Sequence, residues 1–485
     1  MIQRISLIAI LLLLLNQAGQ AQDTDSVYFT TGFKIGELSD HSVVIWTRLC
    51  AWDSPVPVHH ERKGAPMRSP LEFNDSIPVG EMDGAVKGTM GQVRIQLSAG
   101  SDIIASDWEY VSAYKDFTHK LKLDGLQPHT LYKVTILGRK DEESPVSEIS
   151  GRFLTAPPET EAFPVSFTSS SCQYFWDYDD AQRGFKIYDA MLKLQPDFHC
   201  HTGDFVYYDK PGPMARSVAL ARHKWHAINS WPSVREFYTH TPIYQQKDDH
   251  DTMSDDASPG KWPFGELSFT DGVAIWYEQV PLEGQAYRTF RWGADLQIWI
   301  VEGREFRSDN WVPDGPEKTI WGKEQKEWFM ETICQSDASF KILLSPTPVI
   351  GPDRSVGKND NHSNKAFETE GEWLRDFLGE HSVFVVNGDR HWQYVSKDTL
   401  SSVLEFSQGP SSDSHAQGWS QDDWRPEHQF LRVNGGFLAV EVYRKEDLPH
   451  ISFTHYDVNG LIVNERTEGT IREVIPITEG VAATE

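Results

Sequence analysis

The run Val385-Val386-Asn387-Gly388-Asp389-Arg390-His391-Trp392 limits what this chain can fold into more than any other segment. It reads as a buried, β-branched strand that breaks at a glycine and then delivers an Asp and a His two residues apart. Side chains alternate along extended backbone, so positions i and i+2 point the same way. One hard oxygen and one imidazole can then face a single cation. Two other strand-like segments end in the same manner, at His201-Thr202-Gly203-Asp204-Phe205-Val206-Tyr207 and at Gln246-Lys247-Asp248-Asp249-His250-Asp251. Three acid-bearing strand ends are hard to account for by packing alone.

At 485 residues the chain is too long for one ordinary core, and two domains are expected. A hydrophobic fraction of 39%, with 17 Trp and 25 Phe, excludes wholesale disorder. Met1–Ala21 reads as a secretory signal, with Arg4 before the apolar run Ile5–Leu15 and small residues near Ala21. That run is short of a bilayer span, and no later segment reads as transmembrane. A net charge of −26 argues against non-specific nucleic-acid binding, which needs a basic surface. The same charge repels anionic substrates, so bound cations would have to reverse the local potential. The four cysteines, Cys50, Cys172, Cys200 and Cys334, show no disulfide framework in their spacing.

Past the signal, short alternating segments predict strands at 27–33, 42–49, 92–97, 119–123, 131–138 and 147–155. Repeated short strands without helices point to an Ig- or fibronectin-like β-sandwich over 22–157. A linker follows at Thr155-Ala156-Pro157-Pro158. From Pro164 strands alternate with helical patterns: strands at 165–169, 296–301, 340–344 and 382–386, and helices near 183–194, 214–231, 323–333 and 372–378. This is α/β layering, with one or two sheets covered by helices, over 158–485. Ligands in such folds sit beyond the carboxyl ends of the strands, where all three acidic clusters fall.

Hydrolysis of a phosphate ester requires a hydroxide at phosphorus and neutralisation of charge on the oxygens. Two cations about 3.5–4 Å apart can do both. Asp204, Asp249 and Asp389 supply hard oxygens and His391 supplies nitrogen. Tyr207, three residues past Asp204, can turn back toward the same ion. Cys172 ends the first strand of the α/β part, where a metal would deprotonate it.

With these motifs in order, the chain resembles the PhoD family of alkaline phosphatases and phosphodiesterases, within the calcineurin-like metallophosphoesterases. The resemblance rests on Asp40-His41-Ser42-Val43-Val44-Ile45-Trp46-Thr47-Arg48, Gly151-Arg152-Phe153-Leu154-Thr155-Ala156-Pro157, Ser171-Cys172-Gln173, Gly203-Asp204-Phe205-Val206-Tyr207, Asp248-Asp249-His250-Asp251, Arg304-Glu305-Phe306-Arg307 and Gly388-Asp389-Arg390-His391. It implies a centre with a ferric ion (Fe3+) and calcium ions (Ca2+). In that centre Cys172 and Tyr207 would ligate iron, Asp204 would bridge, and Asp389 and His391 would complete the shell. Asp249 stands where the wider superfamily carries an asparagine ligand and is assigned to a divalent metal. His250 is assigned to protonating the leaving oxygen, and Arg304 to substrate phosphate or the scaffold. The chain departs from the family in having a single Arg4 rather than a twin-arginine signal, and Glu302-Gly303 where an acid followed by Thr is usual.

Plainer roles exist for each residue: a capped turn for Asp389 and His391, packing for Tyr207, an inert thiol or a bridge to Cys200 for Cys172, and a bond to Asp251 for His250. His199 and His201 share a face beside Cys200 and are read as core residues or as supports behind the metal ligands, with a ligand role as the alternative. The expected function is that of an exported, periplasmic or extracellular metallophosphoesterase. It would cleave small phosphate monoesters or diesters by in-line attack of metal-bound hydroxide. The alternatives are a phospholipase- or nucleotide-type phosphodiesterase with little monoesterase activity, and a non-catalytic, metal-stabilised surface binding protein. The loops 351–365 and 407–427 stand where substrate loops would.

Overall fold

A computed structural model describes residues 25–61, 73–74, 76–353 and 359–469. The expected signal at 1–21 lies outside them. Among the described residues no helix is long and apolar enough to cross a membrane.

Two sheets face each other and bury the main core between them. The first has nine strands, in the order Ile462–Gly469, Leu448–Asp457, Gly436–Lys445, Val165–Ser170, Phe198–Thr202, Ile243–Gln246, Phe33–Gly36, Ser42–Arg48 and Thr118–Asp124. The second has seven: Arg288–Trp292, Leu296–Ile300, Phe340–Ser345, Val383–Asn387, Leu404–Gln408, Gln393–Lys397 and His428–Arg432. Phe167, Phe198, Ile298, Leu344, Phe406 and Phe453 are among the apolar side chains packed between them. Helices Lys186–Leu194, Val218–Ser230, Pro232–Tyr238 and Phe269–Gln279 contribute to a second core with Trp225, Phe237 and Trp276. Helices Gly322–Gln335 and Glu368–Glu380 contribute to a third with Phe329, Leu374 and Val385. The expected α/β layering is present, with two sheets and helices packed against both.

The middle of each sheet is parallel. Val165–Ser170, Phe198–Thr202 and Ile243–Gln246 run together in one. Leu296–Ile300, Phe340–Ser345, Val383–Asn387 and Leu404–Gln408 run together in the other. Their carboxyl ends meet: Gln246 Nε2 crosses between the sheets to the carbonyls of Val301 (2.7 Å) and Leu344 (2.9 Å).

The N-terminal region is rich in strands, as expected, but does not close on itself. A five-stranded sheet is built from Gly91–Ala99, Asp102–Ala105, Glu109–Val111, Leu131–Arg139 and Ser147–Leu154. The remaining strands join the large sheet, where Gly36 pairs in parallel with Ile243. The apolar core is continuous across position 157, taking in Val43, Ile95, Val134 and Phe167. The strand expected at 27–33 begins instead at Phe33, because the Gly32 amide bonds to the Phe29 carbonyl and closes a turn there. Lys34 then points into a cage of Trp46, Phe205, Trp225 and Tyr238, with Nζ 3.2 Å from the Gln279 carbonyl. Burial lowers its pKa to about 7. The helix expected from 214 starts at Val218, since the Ser217 hydroxyl accepts from the Leu220 amide and caps it.

Candidate active site

Strand ends set the geometry. Cys172, Asp204 and Asp389 each have a left-handed backbone, with φ of 54°, 57° and 63°. Such a conformation in a residue other than glycine costs about 1–3 kcal/mol and recurs where a side chain must be aimed. Each follows a parallel strand and turns its side chain into the space where the two sheets meet. The turns need glycine beside them. A Cβ on Gly203 would fall 2.7 Å from Asp248 Cβ, and one on Gly388 would fall 2.4 Å from the Thr202 carbonyl oxygen. Gly388 is therefore a point where the two sheets come into backbone contact.

The donors converge from both sheets. Cys172 Sγ lies 3.6 Å and the Tyr207 hydroxyl 3.2 Å from Asp204 Oδ2. Among the described residues, three sets of donors fall within 4.8 Å of one another: Cys172, Asp204 and His391; Asp204, Asp249 and His250; Asp204, Asp248 and Asp389. Asp204 belongs to all three. So many acids need compensation, and the protein supplies two buried arginines. Arg304 reaches Asp248 Oδ1 from Nε at 2.6 Å and lies 3.9 Å from Asp249. Arg390 Nη2 lies 2.8 Å from Asp389 and 2.9 Å from Asp353.

Burial, with the carboxylates of Asp249, Asp251 and Asp389, pushes the Asp204 pKa well above the usual range against the opposing pull of His250. Burial and Asp204 likewise hold the Cys172 thiol and the Tyr207 phenol protonated. Such a set is poorly matched to itself and well matched to cations, which would allow acid, thiol and phenol to ionise together.

His250 behaves differently. Its Nδ1 is 2.7 Å from Asp209 Oδ1, not bonded to Asp251, which instead accepts from the Phe205 and Asp248 amides. Burial opposes a charge on the ring, but Asp209, Asp249 and Asp204 outweigh it and raise the pKa well above the ordinary value. The imidazole is held as a proton donor beside the carboxylates.

Arg304 is fully buried, with Nε 2.6 Å and Nη2 2.5 Å from Asp248 Oδ1. Cys172 and Cys200 are free thiols, not a bridge. His199 bonds Thr168 and Ser170 inside the sheet, and His201 is buried beside Phe205, in line with core roles.

Four neighbours were not anticipated from sequence. They are Asp209, Asp248, Arg390 and His415. His415 Nε2 is 3.1 Å from the Tyr207 hydroxyl and 3.2 Å from His391 Nε2, and its Nδ1 is 2.8 Å from Asp177. It comes from the 407–427 loop, whose Gln417 amide also bonds the His391 carbonyl. Asp360, in the other expected substrate loop, lies 3.6 Å from Arg390.

Parallel strands of two facing sheets that end together at clustered carboxylates and imidazoles suit a phosphoesterase. The chain belongs to the PhoD-like phosphatase family, whose profile matches residues 167–431, more than half of its length. It is similar to alkaline phosphatase D of Bacillus subtilis (strain 168), 23% identical over 438 residues covering 78% of this chain and 67% of that protein. A solved structure of PhoD superposes with a TM-score of 0.70 at 18% identity, covering 93% of this chain and 90% of that one. The purple acid phosphatase PPD1 from yellow lupin (Lupinus luteus) seeds shares the fold at a TM-score of 0.60 and 9% identity, covering 91% and 74%.

Proposed function

We propose that this phosphoesterase is exported and metal-dependent, and hydrolyses small phosphate monoesters or diesters without a covalent enzyme intermediate. The observation that carries the reading is the meeting of Cys172, Asp204, Tyr207, Asp389 and His391 from two sheets around one space. Cys172 and Tyr207, two donors that become anionic, suit a ferric ion. Asp204 is placed to be shared, and Asp249, Asp389 and His391 suit further ions such as calcium. When bound, the cations supply the positive charge that polarises the phosphoryl group and makes water acidic enough to attack at moderate pH.

The chain's own residues do the rest. Arg304 and Arg390 fix the carboxylates they bond, and Gly203 and Gly388 let the strand ends approach. Asp209 holds His250 protonated, so that its ring can pass a proton to the departing oxygen. Residues 1–21 would direct export. The division at 157 would separate a strand-rich N-terminal region (22–157) from the catalytic one (158–485), the two sharing the nine-stranded sheet.

The test is hydrolysis of p-nitrophenyl phosphate and bis(p-nitrophenyl) phosphate by protein loaded with iron and calcium, beside Asp389→Ala and a chelated sample. Cleavage of at least one ester, lost on chelation and at least roughly 100-fold weaker in the variant, is expected. Activity indifferent to chelation, or a trapped phosphoryl-serine, would sink the reading. The ratio of the two esters assigns monoester or diester preference.

His250→Asn is expected to lower kcat roughly 10²- to 10³-fold for an alkyl phosphate while metal content, read by elemental analysis, holds. The loss should shrink for p-nitrophenyl phosphate, whose leaving group needs no proton. Equal losses for both esters would remove His250 from protonation.

A further inference from the structure

His415 is fully buried, in a loop whose Asp413 and Gly418 are exposed. The loop is tied to the segment that carries Cys172. Pro410 bridges in parallel to Ser171, and the Ser411 hydroxyl and amide donate to the Ser171 and Cys172 carbonyls at 2.9 and 3.3 Å. It is tied to His391 as well, whose carbonyl accepts from the Gln417 amide at 3.2 Å. Between these anchors the short turn Asp413–His415 closes through the His415 amide and the Ser412 carbonyl. The turn sets the His415 ring against Tyr207 and His391.

His415 Nε2 lies 3.1 Å from the Tyr207 hydroxyl and 3.2 Å from His391 Nε2, and the two imidazole planes stand at 88°. Rings that meet nitrogen to nitrogen at a right angle cover little apolar face. They bring two lone-pair positions to one place. The Tyr207 hydroxyl is in turn 3.2 Å from Asp204 Oδ2. Bonds of about 2.1 Å to a single cation hold neighbouring donors about 3.0 Å apart in an octahedron. The successive spacings from His391 through His415 and Tyr207 to Asp204 are close to that value.

The other ring nitrogen carries independent weight. Nδ1 is 2.8 Å from the carboxylate of Asp177, a fully buried acid in the turn Phe175–Asp177. An imidazole that binds a metal through one nitrogen almost always presents the other to a carboxylate, a carbonyl or water, which fixes its tautomer and its plane.

We propose that His415 is a further ligand of the ion held by Cys172, Asp204, Tyr207 and His391, oriented toward it by Asp177. The inference rests on the metal-dependent reading of the site. Asp177 is a positioning residue, acting only through the ring it faces. A second imidazole also sets which ion this place takes. Calcium is bound through oxygen, whereas imidazole and thiolate together suit a transition ion such as iron.

The experiment uses the full-length protein with isotope-labelled histidine, loaded with ferric ion alone and read by pulsed electron paramagnetic resonance. Two imidazoles coupled to the iron are expected in the unaltered protein, and one in His415→Ala and His415→Gln. Iron affinity, measured by competition with a chelator, should fall about 100-fold or more in those variants. In Asp177→Asn it should fall about 10- to 100-fold with both couplings kept. A single coupled imidazole in the unaltered protein overturns the proposal, with no variant needing to fold, and makes His415 a hydrogen-bond acceptor for Tyr207. An unchanged iron affinity in His415→Gln overturns it too. Unaltered protein that takes up no ferric ion overturns the iron assignment along with it, a result distinct from both.

Discussion

Asp204→Asn is expected to lower kcat by about 10³-fold or more, and to make the metal-free protein more stable rather than less. The first effect follows from position. Asp204 is the carboxylate common to all three donor sets, and loss of groups that merely orient a metal ligand already costs 10- to 100-fold. The second follows from charge. Without cations the buried Asp204 faces Asp249, Asp251 and Asp389, and its pKa is driven up by burial and by those neighbours. An amide keeps one oxygen to accept from the Tyr207 hydroxyl or from the His250 amide, which bond different carboxylate oxygens, and it removes the acid whose burial among like groups is costly. A gain on the order of 1–3 kcal/mol is expected in chelated protein. Loading with metal should reverse the order of the two proteins. Calorimetry on both forms checks this. A variant less stable in both forms would make Asp204 a structural acceptor instead.

Arg304→Met is expected to cost about 3–5 kcal/mol in chemical denaturation, the largest stability loss of any substitution considered. Arg304 and Asp248 are both fully buried, and removing the guanidinium leaves a carboxylate with neither water nor its principal counter-charge. The double variant Arg304→Met with Asp248→Asn should recover more than half of the loss, since it removes the stranded charge together with its partner. Additive losses in the double variant would show that the side-chain volume of Arg304, rather than its pairing, supports the site.

The parts of the site visible in sequence were those carried by a strand end. Asp204, Asp389 and His391 follow apolar, β-branched or aromatic runs broken at a glycine, and that pattern reflects backbone geometry directly. Asp248 was hidden because it adjoins Asp249, and alternation alone does not say which of two adjacent acids turns inward. His415 had no pattern to betray it. It sits in a loop between strands, 208 positions from the Tyr207 hydroxyl that it bonds. The C-terminal strands Gly436–Lys445 and Leu448–Asp457 were missed for a different reason. Their two-residue turn uses Glu446 and Asp447, both with positive φ (52° and 61°), where Asn-Gly or Asp-Gly is the usual signal. The two-domain expectation met a sheet that crosses its boundary. Nothing local to Phe33–Gly36 marks it as a partner for a strand two hundred residues away.

That shared sheet bears on how the protein must be assembled. The stretch matching the phosphatase family begins inside Val165–Ser170 and ends within His428–Arg432. In the folded chain Val165–Ser170 is covered along one side by Gly436–Lys445, and on the far side Ile243–Gln246 meets Phe33–Gly36 at its first residue, where Ile243 pairs with Gly36. Both neighbours lie outside the match. A piece cut to the matched residues would present two bare strand margins, each a template for pairing with another molecule. During synthesis the first strands emerge long before Ile243–Gln246 exists to receive them. The other margin stays open until Gly436–Lys445 is made. Closure of the catalytic sheet thus waits on strands from both sides of the matched residues.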